Sequence, residues 1–381
     1  PAIAEAYHSH TPLLILTADR PPESHEVSAN QTLTQSGLFQ TQTRWQTTLQ
    51  CPSPNIPLES LLTTIDHAIH STQNPIPGPV HINCPFREPL TPKAEKTITT
   101  EAHPEIQTWL NQNTPYIQHP KPTKVVNNTA IDQAITLIKA SKRGLILMGE
   151  THPLTDLHTL TEFLKACPWP VYADITSQFK NAHPHLISDP NTLIAQSPPD
   201  LIITIGGRFV NHHLYNWFKK TKSWIQIQET PSRHNPNHQQ QLVLEGDISD
   251  TLAKLSQSTI LKSEFNIKEK EKENPETSTE ANIMTTIAQV IPNNEPIVLA
   301  NSLTIRLWDT HVQKPIQNPI YTNRGVSGID GLISTASGIQ RAINTPLTLI
   351  LGDIAFLHDL NSLVLLKDAP IRVIILNNNG G

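Results

Sequence analysis

Short apolar runs alternate with amphipathic stretches along nearly the whole chain. Residues 13–17 (Leu-Leu-Ile-Leu-Thr) read as a buried strand that ends in the stiff polar run Ala18-Asp19-Arg20-Pro21-Pro22-Glu23. Leu58, Leu61, Leu62, Ile65 and Ile69 recur at helical spacing and predict a helix over 57–70. Residues 80–83 suit a strand closing a first region, and the prolines after it suit the exit. Periodicity then gives way to Pro, Thr and Gln, which predicts a linker over 93–124.

A second alternation fills 125–258. Helices are predicted at Ile131, Ala134, Ile135 and Ile138, and at Leu157, Leu160, Phe163 and Leu164. Strands are predicted at 145–148, 171–174, 201–205, 224–227 and 242–244. The charged stretch 259–280, alternating in sign over 268–273, reads as another linker. In 281–381 a helix and the strand 297–300 lead to a Gly-rich loop over 323–331 and a small-residue helix from Leu332. The strand 347–351 follows, then Leu357, Leu360, Val364 and Leu365 at helical spacing, then the strand 371–376. Such alternation predicts an α/β protein with three Rossmann-like parallel-sheet domains, 1–92, 125–258 and 281–381. The chain opens at Pro1 in what reads as mid-helix and stops at Gly381 just past a strand end. An internal fragment is therefore expected, with its first and last domains truncated.

Composition narrows the function classes. Lys and Arg total 28 against 33 Asp and Glu, a formal net charge of −5, and no basic patch stands out, so nucleic acid is not expected as a partner. No apolar run approaches the roughly 18 residues of a membrane span. Cys51, Cys84 and Cys167 are far apart and form neither a zinc spacing nor a disulfide framework, which points to a reducing, cytoplasmic compartment. The second region lacks the Gly-x-Gly-x-x-Gly fingerprint, so no bound NAD or FAD is expected there and its role reads as structural.

Candidate chemistry gathers at strand ends. Asp353 closes one predicted strand and Asn377-Asn378-Asn379-Gly380-Gly381 follows the next. A right-handed strand–helix–strand unit sets both ends on the same side of the sheet, on strands about 4.8 Å apart. A carboxylate, an amide oxygen and a backbone carbonyl can there surround a hard cation such as Mg²⁺, and the glycines leave room for a diphosphate. The plain alternative is an ordinary turn and an ordinary loop. Arg20 can clamp a carboxylate, with Asn30 and Gln31 adding hydrogen bonds; the alternative is a surface arginine and helix-capping residues. Asn301-Ser302-Leu303-Thr304-Ile305-Arg306 and the loop bearing Arg324 bring two more arginines to strand ends, which suits an anionic substrate or plain surface charge.

Gly352-Asp353, about 25 further residues and then Asn377-Asn378 resembles the metal–diphosphate motif of thiamine-diphosphate enzymes, with Ile354 where Gly often stands. Longer segments are more specific: Leu16-Thr17-Ala18-Asp19-Arg20-Pro21-Pro22-Glu23, Ala29-Asn30-Gln31, the run 78–90, Asn323-Arg324-Gly325-Val326-Ser327-Gly328-Ile329-Asp330-Gly331 and Phe356-Leu357-His358-Asp359-Leu360-Asn361. Together, and in order, they resemble the 2-succinyl-5-enolpyruvyl-6-hydroxy-3-cyclohexene-1-carboxylate synthases of menaquinone or phylloquinone biosynthesis. The resemblance implies a pyrimidine-binding, a central cofactor-free and a diphosphate-binding domain. It implies decarboxylation of 2-oxoglutarate on thiamine diphosphate and addition of the succinyl unit to isochorismate. Asp353, Asn378 and the carbonyl of Gly380 match ligands of Mg²⁺ or Mn²⁺. Gly352, Asp353, Ile354 and Asn378 match the cofactor cradle, and Ile329 the residue that props the cofactor bent. Arg20, Asn30, Gln31, Ser302, Arg306 and Arg324 match substrate-contacting positions. A homodimer or homotetramer is implied as well.

Two departures qualify the match. The glutamate that activates the cofactor in this family, and an early substrate-binding arginine, fall before residue 1, so no catalytic residue is assigned and the chain alone is expected to be inactive. A lysine that many members carry stands as His212. The rival readings are an acetolactate-synthase-like carboligase and a non-catalytic scaffold that kept the fold.

Overall fold

A computed structural model describes residues 1–53, 55–91, 104–151, 158–179, 184–187, 189–258, 260, 262–265, 267, 279–312 and 316–379. It falls into two compact units, Pro1–Pro122 with Asn323–Ser327, and Thr123–Thr322 with Gly328–Gly381.

The first unit contains helix α1 (Ala2–His8), strand β1 (Leu13–Asp19), strand β2 (Trp45–Thr48), helix α2 (Leu58–Gln73), strand β3 (Pro79–Pro85) and helix α3 (Pro104–Leu110). Its sheet is parallel in the order β1-β3-β2. Val80 and Ile82 on β3 and Ala68 on α2 are buried together, flanked by Leu14, Trp45 and Ile65. The face α2 turns inward thus runs Ile65, Ala68, Thr72, at helical spacing. Leu61 and Ile69 of the predicted stripe remain exposed. Helix α3 lies inside the stretch that reads as a linker, and β2 has no counterpart in the sequence reading.

The second unit holds two sheets. The first is built from helix α4 (Asn128–Ala140), strand β4 (Gly144–Met148), helix α5 (His158–Ala166), strands β5 (Val171–Ala173) and β6 (Leu186–Ile187), helix α6 (Pro190–Ile194), strand β7 (Leu201–Ile205), helix α7 (His213–Phe218), strands β8 (Ser223–Gln228) and β9 (Leu242–Glu245), and helix α8 (Ile248–Ser256). All six strands are parallel in the order β6-β5-β4-β7-β8-β9. This is a doubly wound sheet whose order reverses between β4 and β7. Successive residues feed opposite faces: Ile146, Met148 and Ile203 pack under α5 and α8, whereas Leu145, Leu147 and Ile202 pack with Phe218 and Trp224. At the reversal the loops after β4 and β7 are joined by backbone hydrogen bonds, Glu150 N–H to Arg208 C=O at 3.1 Å and Gly207 N–H to Glu150 C=O at 2.7 Å. A Cβ on Gly149 would lie 2.2 Å from the Gly207 carbonyl oxygen, so only glycine allows this approach.

The other sheet is built from helix α9 (Thr279–Val290), strand β10 (Ile297–Leu299), helix α10 (Leu303–His311), strand β11 (Ile320–Thr322), helix α11 (Leu332–Ile343), strand β12 (Leu347–Gly352), helix α12 (Asp353–His358) and strand β13 (Ile371–Leu376). It is parallel in the order β11-β10-β12-β13. The buried Asp309 on α10 accepts the Tyr172 hydroxyl at 2.8 Å and the Ile175 N–H at 3.0 Å, and Ile175 and Val210 pack with Met284, Ile305 and Trp308. The two sheets of this unit therefore share a core cluster. In place of one helix across Leu357–Leu365 spacing, α12 ends at His358 and a 3-10 helix spans Leu360–Leu366. Leu357, Leu360, Val364 and Leu365 stay exposed. Asp359 stands at the break, where its carboxylate accepts the N–H groups of Ile333 and Ser334. Leu157, the run 268–273 and Gly380 lie outside the described residues.

Candidate cofactor and substrate site

In the second unit, candidate residues collect beyond the carboxyl ends of β10, β12 and β13. Gly352 pairs in register with Leu376, so Asp353 and Asn378 each continue one of two adjacent strands. The strand itself ends at Gly352, and Asp353 is the first residue of α12. A Cβ on Gly352 would meet nothing within 4 Å, which leaves the approach to Asp353 open. The Asp353 carboxylate has no hydrogen-bond or ion-pair partner among the described residues. Asn378 Nδ2 reaches Glu280 Oε1 at 3.4 Å, and Asn379 N–H donates to Asn377 Oδ1 at 3.0 Å. One carboxylate and one amide oxygen at neighbouring strand ends are hard donors that fit Mg²⁺ or Mn²⁺ better than a thiophilic metal. Among the described residues no three His, Cys, Asp or Glu side chains converge on a point, so a metal here would rely on a mixed set.

Beyond β10, buried Asn301 donates to the Gly328 carbonyl at 2.8 Å and ties this strand end to the Gly-rich loop. Ser302 follows with φ +67° and ψ −131°, a strained entry to α10, and Arg306 stands one turn along that helix, exposed. His212 is nearby: desolvation, then His213 with its ring 4.0 Å away, then the Arg306 charge keep the His212 pKa below its usual value. Ile329 packs half-buried against the cluster of Val298 and Leu332. The start of α11 is held by Asp359, whose Oδ2 accepts the N–H groups of Ile333 at 2.7 Å and Ser334 at 3.3 Å, while its Oδ1 accepts the Ser362 hydroxyl at 2.6 Å. His358 lies 3.7 Å from Asp330. The segment 356–361 thus fastens the loop that carries Ile329, a role no local pattern announces because its target is 26 residues upstream.

The first unit holds Arg20, Asn30, Gln31 and Arg324. Asp19 closes β1; its Oδ1 accepts the Arg20 N–H at 2.8 Å and its Oδ2 the Asn83 amide at 2.7 Å. Asn83 in turn accepts the Thr17 hydroxyl at 2.9 Å, and Thr17 meets buried His81 at 2.7 Å. His25 Nε2 lies 3.1 Å from the Arg20 carbonyl and 3.6 Å from Asp19. Burial opposes ionisation of Asp19, but hydrogen bonds from Asn83, Gln35 and the Arg20 backbone, with the His25 charge, outweigh it and hold the carboxyl below its ordinary value. The Arg20 backbone is therefore clamped at both its N–H and its C=O. Asn30 and Gln31 are exposed on the loop that follows. Beside Arg324, the Glu5 carboxylate of α1 accepts the N–H groups of Gly325 at 2.6 Å and Val326 at 2.8 Å.

Known proteins are similar to this chain along its whole length. The family model described as the middle domain of thiamine pyrophosphate matches residues 100–299. A 2-succinyl-5-enolpyruvyl-6-hydroxy-3-cyclohexene-1-carboxylate synthase of Chlorobium phaeobacteroides (strain BS1) is 37% identical over 405 residues, covering 100% of this chain and 69% of that protein. The synthase of the same name from Rubrobacter xylanophilus is 30% identical, covering 100% of this chain and 70% of its own length. Among solved structures, a putative thiamin diphosphate-dependent enzyme isolated from Mycobacterium smegmatis superposes with a TM-score of 0.71 over 99% of this chain and 73% of that one, at 17% identity, and shares the fold. The family-model match over more than half of the chain, with three parallel sheets among the described residues, makes this a thiamine-diphosphate-dependent enzyme. Within that class the chain belongs to the family of 2-succinyl-5-enolpyruvyl-6-hydroxy-3-cyclohexene-1-carboxylate synthases.

Proposed function

We propose that this chain serves the reaction for which its relatives are named: decarboxylation of 2-oxoglutarate and transfer of the succinyl unit to isochorismate, with thiamine diphosphate held through Mg²⁺ or Mn²⁺. The observation that carries the reading is the in-register pairing of β12 with β13, which sets Asp353, with no partner among the described residues, beside the strand end that bears Asn378. Those two residues, with the Gly380 carbonyl, would hold the metal, and Gly352 and Ile354 would border the diphosphate. Bound thiamine diphosphate supplies the electron sink that decarboxylation of a 2-oxo acid needs. Ile329 would press on the cofactor, and its fixed loop suits that work. Both substrates are dicarboxylates, which suits the planar forks of Arg20, Arg306 and Arg324, with Asn30, Gln31 and Ser302 as hydrogen-bonding neighbours. A homodimer or homotetramer in the cytoplasm belongs to the same reading; no helix among the described residues is long and apolar enough to cross a membrane. The domain division 1–92, 125–258 and 281–381 belongs to it too.

The test is an assay of the intact enzyme with 2-oxoglutarate, isochorismate, thiamine diphosphate and Mg²⁺, following isochorismate absorbance. Consumption should require 2-oxoglutarate and vanish in Asp353→Ala, and calorimetry on that variant should show metal-dependent cofactor binding lost. A folded protein that binds the cofactor yet leaves isochorismate untouched would sink the named reaction and favour another carboligase.

A further inference from the structure

Two arginines of the first unit face carboxylates, and the two pairs differ in kind. Arg87 closes on Glu23 as a filled fork, Nε to Oε1 at 2.6 Å and Nη2 to Oε2 at 3.0 Å. Arg20 meets Glu88 only through Nη1 at 3.7 Å, beyond hydrogen-bond length, and the Glu88 side chain is 74% exposed. Its Nε is buried and has no acceptor among the described residues. A guanidinium donates best to a carboxylate that takes two of its N–H groups in parallel, so the Arg20 fork is far from satisfied. Its backbone, by contrast, is fixed by Asp19 and His25 at 2.8 and 3.1 Å. The main chain is set while the cationic end has only a loose, solvent-facing partner.

We propose that Glu88 is a resident competitor for Arg20: it holds the guanidinium weakly between turnovers and yields it to a substrate carboxylate, which takes the outer N–H groups that Glu88 meets only at 3.7 Å. This rests on Arg20 being a substrate-binding residue. The exchange forms and breaks no covalent bond. One carboxylate replaces another, so the site never strands an unpaired cation, and the substrate must outbid an internal rival.

The variant Glu88→Gln tests this by a gain, which misfolding cannot imitate. In the intact, cofactor-loaded enzyme, KM for one of the two dicarboxylates should fall about two- to fivefold with kcat held, the range that exposed ion pairs span. The gain should shrink in high salt, because salt screens the rivalry in the parent enzyme. Calorimetric affinity for 2-oxoglutarate or isochorismate should move with KM. Arg20→Ala should raise the same KM, and adding Glu88→Gln to it should change nothing further. An unchanged or raised KM in Glu88→Gln, with Arg20→Ala impaired, overturns the competitor alone. An unaffected Arg20→Ala removes the arginine from the site and this inference with it.

Discussion

Three carboxylates hold the loops that bear candidate site residues, each by accepting backbone N–H groups: Asp19 at Arg20, Glu5 beyond Arg324 and Asp359 beyond Ile329. Charge-assisted bonds of this kind are stronger than neutral ones and fix main chain without occupying the functional side chain. Asp19 carries a pH signature. Because its folded pKa is depressed, its stabilisation is fully present above the ordinary carboxylate pKa of about 4 and is lost as pH falls through the lowered value. Urea titrations over about pH 2 to 6 should show Asp19→Asn less stable than the parent at the upper end, with the gap closing toward the acid end. At this scale the sequence was partly legible. Asp353 and Asn378 stand out because one strand–helix–strand unit joins them. Glu88 opposite Arg20 does not, because the partners lie 68 residues apart and nothing local relates them.

Among the elements, α11 shows how a distant residue can decide a helix end. Gly331 at its start offers no side-chain cap, and Asp359 supplies one from beyond α12. Asp359→Ala should cost about 1–2 kcal/mol in urea unfolding, while Asp359→Asn, which keeps an acceptor, should recover much of it. The break at Asp359 is also where the apolar spacing after Asp353 misleads. The pattern is helical, but the chain leaves α-geometry at the residue whose carboxylate caps α11, and Leu357 and Val364 are left facing outward. Some elements that escaped the pattern are short, although the nine-residue helices α8 and α10 went unread as well. Strand β6 has two residues and helix α6 five, too few for any period to register. The long strands β4, β7 and β12 were plain, because burial on both faces writes them as continuous apolar runs.

Within the second unit, one buried carboxylate joins two sheets. Burial first, and then the charges of Asp309 and Asp174, push the Tyr172 pKa well above its normal value and keep its hydroxyl a donor. Asp309→Ala would remove the carboxylate that accepts from both that hydroxyl and the Ile175 N–H in the interior. The expected loss is about 3 kcal/mol, read as a lower Tm by calorimetry. Strand–helix alternation foretold three parallel sheets, yet not that the second and third share a core cluster, since that depends on a contact between residues 137 apart. The reversal between β4 and β7 bears on what this sheet can become. In doubly wound proteins that crevice is where a nucleotide enters, and here Glu150 and Gly207 stitch its lips together. Installing a dinucleotide site by engineering would therefore mean unpicking main chain rather than redecorating side chains. Grafting a glycine fingerprint onto the loop after β4 would leave the seam closed, and the sheet is better recruited as a rigid spacer than as a second cofactor pocket.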